Sequence, residues 1–191
     1  MSSILLTPAA VEPVTLADAK AYLRVAHSAD DAVIAALIAG ARSHVEAQTR
    51  RALITQTWRL IRDGWPPDGR IAVVPVPLRS VVAARIYDAG GTTHAVDTGA
   101  FVADKAAAPA VLAFAPWTLT EPGRTAAGIE IDVEFGYGSA PANVPETLRQ
   151  ALLLLVAHWY ENRGLIAVGQ TVAVLPMAIA ALIAPYQVLS L

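Results

Sequence analysis

The stretch from residue 145 to residue 164, PETLRQALLLLVAHWYENRG, constrains the fold of this chain more than any other. Pro145 suits the first turn of a helix, where its missing N–H costs nothing. Gly164 can end the helix in the left-handed conformation. Apolar residues recur at helical spacing on one face and also cover most of the remaining surface: Leu148, Ala151, Leu152, Leu155 and Trp159, then Leu153, Leu154, Ala157 and Tyr160. A helix that is apolar nearly all round is buried on more than one side, so we expect a central helix packed against its own domain, a neighbouring subunit, or both.

The composition indicates extensive apolar contact. Hydrophobic residues make up 55% of the 191 residues, charged residues only 16%, and the mean hydropathy is +0.48. Soluble domains have about 45–50% apolar residues, so this chain either enters a membrane or buries apolar surface against a partner. A formal net charge of −2 argues against wrapping nucleic acid by counterion release. The absence of cysteine excludes a disulfide framework and a thiolate metal site.

Residues 165–185, LIAVGQTVAVLPMAIAALIAP, are long and mostly apolar, and they allow two interpretations. A membrane helix needs about 20 predominantly apolar residues. Gly169, Gln170, Thr171 and Pro176 interrupt the run, and no Lys or Arg follows Arg163 to set an orientation. We therefore expect a loop over 165–175 and a short helix over 177–184 that packs on protein, with no membrane contact.

The rest of the chain predicts helices at both ends and strands between them. Residues 1–14 resemble an extended arm, Thr15 and Asp18 form a capping pattern for a first helix, and a second helix is predicted over 31–49. Period-two patterns predict strands over 57–62, 71–74, 81–87, 101–103, 111–114 and, most clearly, 129–135. The predicted fold class is α+β, a helical bundle core with an inserted antiparallel β section. Its parts are 1–55 (N-terminal helical), 56–140 (β) and 141–191 (C-terminal helical, packing with the N-terminal helices).

No spacing of residues in this sequence indicates an active site. Glu130, Asp132 and Glu134 alternate along the last strand and could together approach a cation, but no further ligand is placed beside them, and a solvated strand face is the simpler interpretation. HExxH, GxSxG and Walker A motifs are all lacking. Two close N-terminal helices suggest helix-turn-helix, yet Asp30 and Asp31 would repel phosphate at a recognition helix. We therefore assign no catalytic, cofactor-binding or metal-binding residue and expect no enzyme activity; a DNA-binding or packaging accessory protein remains the alternative.

Several short runs occur in an order that resembles one family. They are residues 13–20 (PVTLADAK), 30–34 (DDAVI), 49–53 (TRRAL), 75–81 (PVPLRSV), 136–138 (GYG), 157–163 (AHWYENR) and 182–186 (LIAPY). Their order is similar to that in tailed-phage head–tail connector proteins, the gp6-like and gp15-like adaptors and the phiE125 gp8 family, which include the adaptors of gene transfer agents. Each run is weak alone, and the likeness depends on their succession along nearly the whole chain.

The resemblance implies a structural connector (adaptor) subunit. It would form a homo-oligomeric ring, usually dodecameric, beneath the portal protein, extend the DNA channel, and offer an attachment platform to a downstream neck or tail protein such as a stopper or tail terminator. DNA would pass through the channel without specific binding. The expected location is the neck of a virion or phage-like particle, assembled in the bacterial cytoplasm. The sequence leaves open whether that particle is a phage or a gene transfer agent, the ring stoichiometry, and the partner of the β section.

The apolar tail is the expected partner interface. Its residues carry no charge, and a monomer that left them in water would expose an adhesive patch. The expected interface residues are Met177, Ile179, Leu182, Ile183 and Tyr186. A helix this short is unstable alone, so we expect it to become ordered only against protein.

Overall fold

The structure, a computed structural model, describes residues 2–162 and 177–189. The helices are α1 (Leu16–Leu23), α2 (Asp31–Thr49), α3 (Glu146–Glu161) and α4 (Met177–Ile183). The strands are β1 (Ser2–Thr7), β2 (Gln56–Arg62), β3 (Arg70–Val73), β4 (Leu78–Tyr87), β5 (Thr93–Val96), β6 (Val102–Asp104), β7 (Ala110–Ala113) and β8 (Ile129–Phe135). The chain divides into two compact units. The β unit takes its described residues from Met1–Ala10, Thr55–Tyr137 and Val188–Leu191, and the helical unit takes its own from Val11–Ile54 and Gly138–Gln187.

The helical unit packs helices from both ends of the chain together. Helix α1 begins with the expected capping box, in which the Thr15 hydroxyl accepts from the Asp18 N–H and the Asp18 carboxylate accepts from the Thr15 N–H. Helix α3 contacts α1, α2 and α4. The buried residues recur at helical spacing, and they are Ile34, Ile38, Ala41 and Val45 on α2 and Leu148, Ala151, Leu152, Leu155 and Val156 on α3. The apolar face predicted for α3 is therefore the core of this unit.

The β unit contains two antiparallel sheets. The larger sheet has the strand order β1-β2-β8-β4-β5, and the smaller has the order β3-β7-β6. Strand β8 lies at the centre of the larger sheet and pairs with β2 and β4 along its length. The side chains of Ile129, Ile131, Val133 and Phe135 are fully buried. The helices of one unit and the antiparallel sheets of the other confirm the predicted α+β class, and in sequence most strands lie between the N- and C-terminal helices.

The structure differs from the sequence-based expectations at three places. The predicted arm over 1–14 contains strand β1, which pairs with β2 and so belongs to the β unit rather than the N-terminal helical part. Strand β5 was not predicted at all; it is a short partner of β4. Helix α3 starts at Glu146, with Pro145 just before it. The expected helix end at Arg163 and Gly164, and the expected loop over 165–175, lie outside the described residues.

Candidate assembly surfaces

The tail helix α4, which carries the expected interface residues, packs on its own chain. Ile179 and Ile183, one helical turn apart, are 2% and 0% exposed. They face α3 and α2, which α4 contacts. The chain itself therefore covers both isoleucines, because the i and i+4 positions fall on the face that meets the helical core. Their part in a partner interface stays a prediction.

The other three expected residues remain accessible to different degrees. Met177 is 87% exposed, and Leu182 and Tyr186 are half-buried. The segment after α4 is fixed by Arg51, whose Nε donates to the Tyr186 carbonyl oxygen at 2.6 Å and whose guanidinium carbon lies 5.7 Å from the centre of the Tyr186 ring. Within the tail, Met177 is thus the expected interface residue that the chain itself leaves open.

A groove lies beside α4 in the helical unit. It encloses about 570 Å³ between the end of α1, the last turns of α3 and the start of α4. Its walls combine apolar and polar side chains, including Tyr22, Leu154, Ala157, His158, Glu161 and Ile179. Tyr22 is 40% exposed at its rim. The groove thus offers an accessible surface beside the first residues of α4.

Ion pairs fasten the helical unit around its apolar core. The Arg42 guanidinium donates from Nε to Glu12 at 2.8 Å and from Nη1 to Glu46 at 3.0 Å. Burial acts to lower the pKa of Arg42, but the hydrogen bonds and charges of the two glutamates outweigh it, and the net direction is upward. The segment before α1 is thereby joined to α2.

The acidic row on β8 is an ion-pair ladder and not a solvated face. Arg59 of β2 lies opposite Asp132, with Nε 2.7 Å from Oδ1 and Nη2 3.0 Å from Oδ2. Arg85 of β4 also donates to Asp132, and Glu130 lies 3.2 Å from Arg59 Nη1 and 3.4 Å from Arg85 Nε. Asp132 is only 7% exposed. Its hydrogen bond is the main cause that raises the pKa of Arg59.

The ladder explains what the sequence could and could not show. The carboxylates were visible in the alternation of IEIDVEF, but their arginine partners come from strands 47 and 73 residues away along the chain. A usable signal was present, since Arg59 and Arg85 each sit within a strand-like stretch. With two arginines against Glu130 and Asp132, this part of the sheet is electrically balanced, and it holds its charges by pairing rather than by hydration.

The described residues hold neither a metal cluster nor a membrane span. In the described part of the chain, no group of three or more His, Cys, Asp or Glu side chains is arranged to hold a metal ion. The helices of residues 2–162 and 177–189 are too short or too polar to cross a bilayer.

Comparison with known proteins agrees with this description. Residues 13–84 match the family model described as phage gp6-like head-tail connector protein. No curated protein matches the chain. The match confirms the resemblance to head–tail connectors that the sequence carries.

Solved structures extend the likeness of fold to the whole chain. A chain in "Neck of empty GTA particle computed with C6 symmetry" is 25% identical with a TM-score of 0.82, covering 100% of this chain and 97% of that one. A chain in "Neck of native GTA particle computed with C12 symmetry" is 26% identical with a TM-score of 0.75, covering 98% and 97%. A chain in "Virion of native gene transfer agent (GTA) particle" is 23% identical with a TM-score of 0.81, covering 100% and 97%, and it shares the fold.

Proposed function

We propose that this protein is a structural head–tail connector, an adaptor subunit in the neck of a phage-like particle. The observation that carries the proposal is the likeness to chains from gene transfer agent necks, which covers the whole of this chain and nearly the whole of theirs, together with the family match over residues 13–84. A shared fold over full length, including both units, supports a shared position in the particle.

The ring and its partners are the finer part of the proposal. Copies of the chain form a ring. A dodecamer is the stoichiometry proposed, because the related necks were computed with C6 and C12 symmetry. The ring sits beneath the portal protein, extends the DNA channel, and carries the next neck or tail protein. DNA slides through without specific binding, and the subunit has no enzyme activity. The mild net charge of −2 supports a channel to which DNA does not adhere.

The order of the segments along the chain supports a helical body that carries an inserted β section. We propose that residues 56–140 act as an insertion in a helical body made from 1–55 and 141–191. The two compact units meet in sequence between Ile54 and Thr55 and between Tyr137 and Gly138, which supports the insertion. The first strand is the exception, because it belongs to the β unit. Assembly takes place in the bacterial cytoplasm, and the portal meets the helical unit at Met177, Leu182 and Tyr186.

Particle assembly tests the proposal. We expect cells that lack the protein to accumulate heads without tails, and the wild-type chain supplied from a plasmid to restore tails. Met177→Asp should retain the wild-type melting temperature, because Met177 is 87% exposed, and should fail to restore tails. Electron microscopy of purified particles and a melting curve of the purified variant measure the two outcomes.

Two matched variants make this test specific. Val33→Asp, at a 40% exposed position in the first turn of α2, should keep both stability and tails. Ile183→Asp should lose both, because Ile183 is fully buried in the helical core. Tailed particles formed without the protein would overturn the connector function. Normal tails with Met177→Asp would leave that function standing and remove Met177 from the interface.

A further inference from the structure

An exposed tryptophan stands at the tip of the β unit's longest loop. Trp117 is 82% exposed and has a φ of 63°, in the left-handed region that a bulky residue rarely adopts. Its turn runs from Ala115 to Thr118, and the Thr118 N–H and hydroxyl both donate to the Ala115 carbonyl oxygen, at 3.4 and 2.6 Å. Pro116 precedes Trp117, which is the arrangement of a turn whose third residue is usually glycine.

The loop around Trp117 is held from several sides. Trp65 Nε1 donates to the Thr120 carbonyl oxygen at 2.9 Å, and the Phe114 N–H donates to the Gly69 carbonyl oxygen at 2.9 Å. The rings of Trp65 and Phe114 lie edge to face at 5.2 Å. Trp117 is thus an aromatic side chain presented to solvent on an ordered support. Rigid aromatic anchors of this kind lose little entropy on binding and are frequent interface hot spots.

Carboxylates outnumber other ionisable groups beside Trp117. Glu121 lines the same small crevice as Trp117. The neighbouring cavity of about 500 Å³ has Thr118–Glu121 as one wall and also includes Asp97, Asp88 and His94, whose Nε2 lies 3.2 Å from the Asp88 carboxylate. The loop is attached at the end of β4, where the Gly123 N–H donates to the Tyr87 carbonyl oxygen at 2.8 Å. A partner for Trp117 would therefore need an opening for an indole ring and a positive charge beside it.

The same unit offers such an opening at the other end of β4. A pocket of about 350 Å³ is lined by Pro77, Leu78, Arg79, Lys105, Gly136 and Tyr137. Lys105 is exposed, and Arg79, paired with Glu134 at 3.2 Å, keeps 42% of its side chain exposed. A cation over an indole face is a favourable contact. Trp117 does not line this pocket and is 82% exposed, so in its own chain it does not fill the opening.

We propose that Trp117 inserts into the Arg79–Lys105 pocket of a neighbouring copy of the chain. Two different, complementary surfaces on one subunit make a heterologous contact, and such contacts generate rings when the rotation closes. The inference rests on the proposed ring and names the contact within it. One tryptophan buries only about 150–250 Å², so this contact is one anchor of a larger interface.

Crosslinking inside particles tests the contact directly. The chain has no cysteine, so an introduced pair reports only the chosen positions. Thr120→Cys and Ala106→Cys together place one thiol beside each surface while keeping Trp117, Glu121 and Lys105. A short bismaleimide added to purified particles should convert this double variant into a covalent ladder of many copies. Either single variant should stay monomeric on the same gel.

A substitution that relieves the strain of the positive φ at Trp117 gives the second measurement. Trp117→Gly should keep or raise the melting temperature, because glycine tolerates the positive φ, and should weaken assembly of the ring roughly 30-fold or more, as loss of a hot spot does. Ala127→Gly, at an exposed position with a φ of 51°, is the control that relieves backbone strain without removing an aromatic ring.

The outcomes separate this inference from the connector function. A ladder together with loss of rings by Trp117→Gly supports the contact. The absence of a ladder in particles that contain the double variant overturns it, as does normal assembly by Trp117→Gly. A crosslink to a protein of different mass also overturns it and assigns Trp117 to another neck protein. Absence of the wild-type chain from particles would instead refute the connector function itself.

Discussion

The helical unit and the β unit are stabilised by different means. The helical unit buries an apolar helix, α3, whose core-facing residues Leu148, Leu152 and Leu155 are at most 1% exposed. The β unit also has an apolar core, but its central strand β8 presents a second face on which Asp132 is buried and paired with two arginines. The core-facing positions of α3 carry no charge, whereas β8 holds buried charge by pairing it.

This difference has consequences for what each unit tolerates. A charge placed in the helical core would meet no compensating partner, and an uncompensated buried charge is among the most destabilising changes. In the ladder, the destabilising change is the removal of a charge, because the arginines are then left without the acceptor they share. The same physical rule therefore predicts opposite sensitive substitutions in the two units.

The largest effect is expected from Leu155→Asp in the helical core. Burying a leucine contributes about 1.5–3 kcal/mol, and an unpaired buried carboxylate costs several more, against a total stability of about 5–15 kcal/mol. We expect the variant to be insoluble or unfolded by circular dichroism. A soluble variant that melts like wild type would show that this face of α3 is not the core, and the contrast between the two units would fail.

An intermediate effect is expected from Asp132→Ala in the ladder. Its loss leaves two partly buried guanidinium groups short of an acceptor, and we expect a destabilisation of about 2–4 kcal/mol in chemical denaturation. Glu134→Ala on the same strand is the control, because its partner Arg79 is 42% exposed and exposed pairs contribute at most about 1 kcal/mol. Equal effects of the two substitutions would mean that burial does not set the strength of these pairs.

The sequence predicted the helical unit better than the β unit, for physical reasons. Helical signals are local: the Thr15–Asp18 capping box and the span of α2 both occur where the sequence predicts them. Strand pairing is not local. Strand β1 lacks an alternating pattern, since all six of its residues are exposed, and it is a strand only because β2 lies beside it. The partners of Asp132 were hidden for the same reason, because pairing register decides which side chains meet across a sheet.

The candidate contact surfaces could likewise be predicted from the sequence only in part. The apolar tail was correctly located as a helix beginning at Met177, yet composition alone could not separate Ile179 and Ile183, which face the helical core, from Met177, which faces solvent. A helix of two turns has one side against the core and one side in solvent. Only its packing against α2 and α3 decides which residues lie on each side. Trp117 was missed because a single aromatic residue in a turn has no periodic signal.

The smallest effect is expected from an exposed charge in the β unit, Asp88, which extends the comparison to the surface. Its carboxylate accepts from His94 Nε2 at 3.2 Å and from the Thr92 N–H at 2.8 Å, and the first of these is the main cause that lowers the pKa of Asp88. A carboxyl group whose pKa is lower in the folded protein stabilises the fold above its ordinary pKa of about 3.9. That contribution is lost as the pH falls through the lower, folded value.

Asp88→Asn should therefore lower the melting temperature slightly at pH 6 and leave it unchanged well below pH 3. In a His94→Gln background the pH-dependent part should shrink. A difference between Asp88→Asn and wild type that stayed constant down to the acid limit would mean that the side chain acts through hydrogen-bond geometry, and that charge pairing in this unit matters only where it is buried.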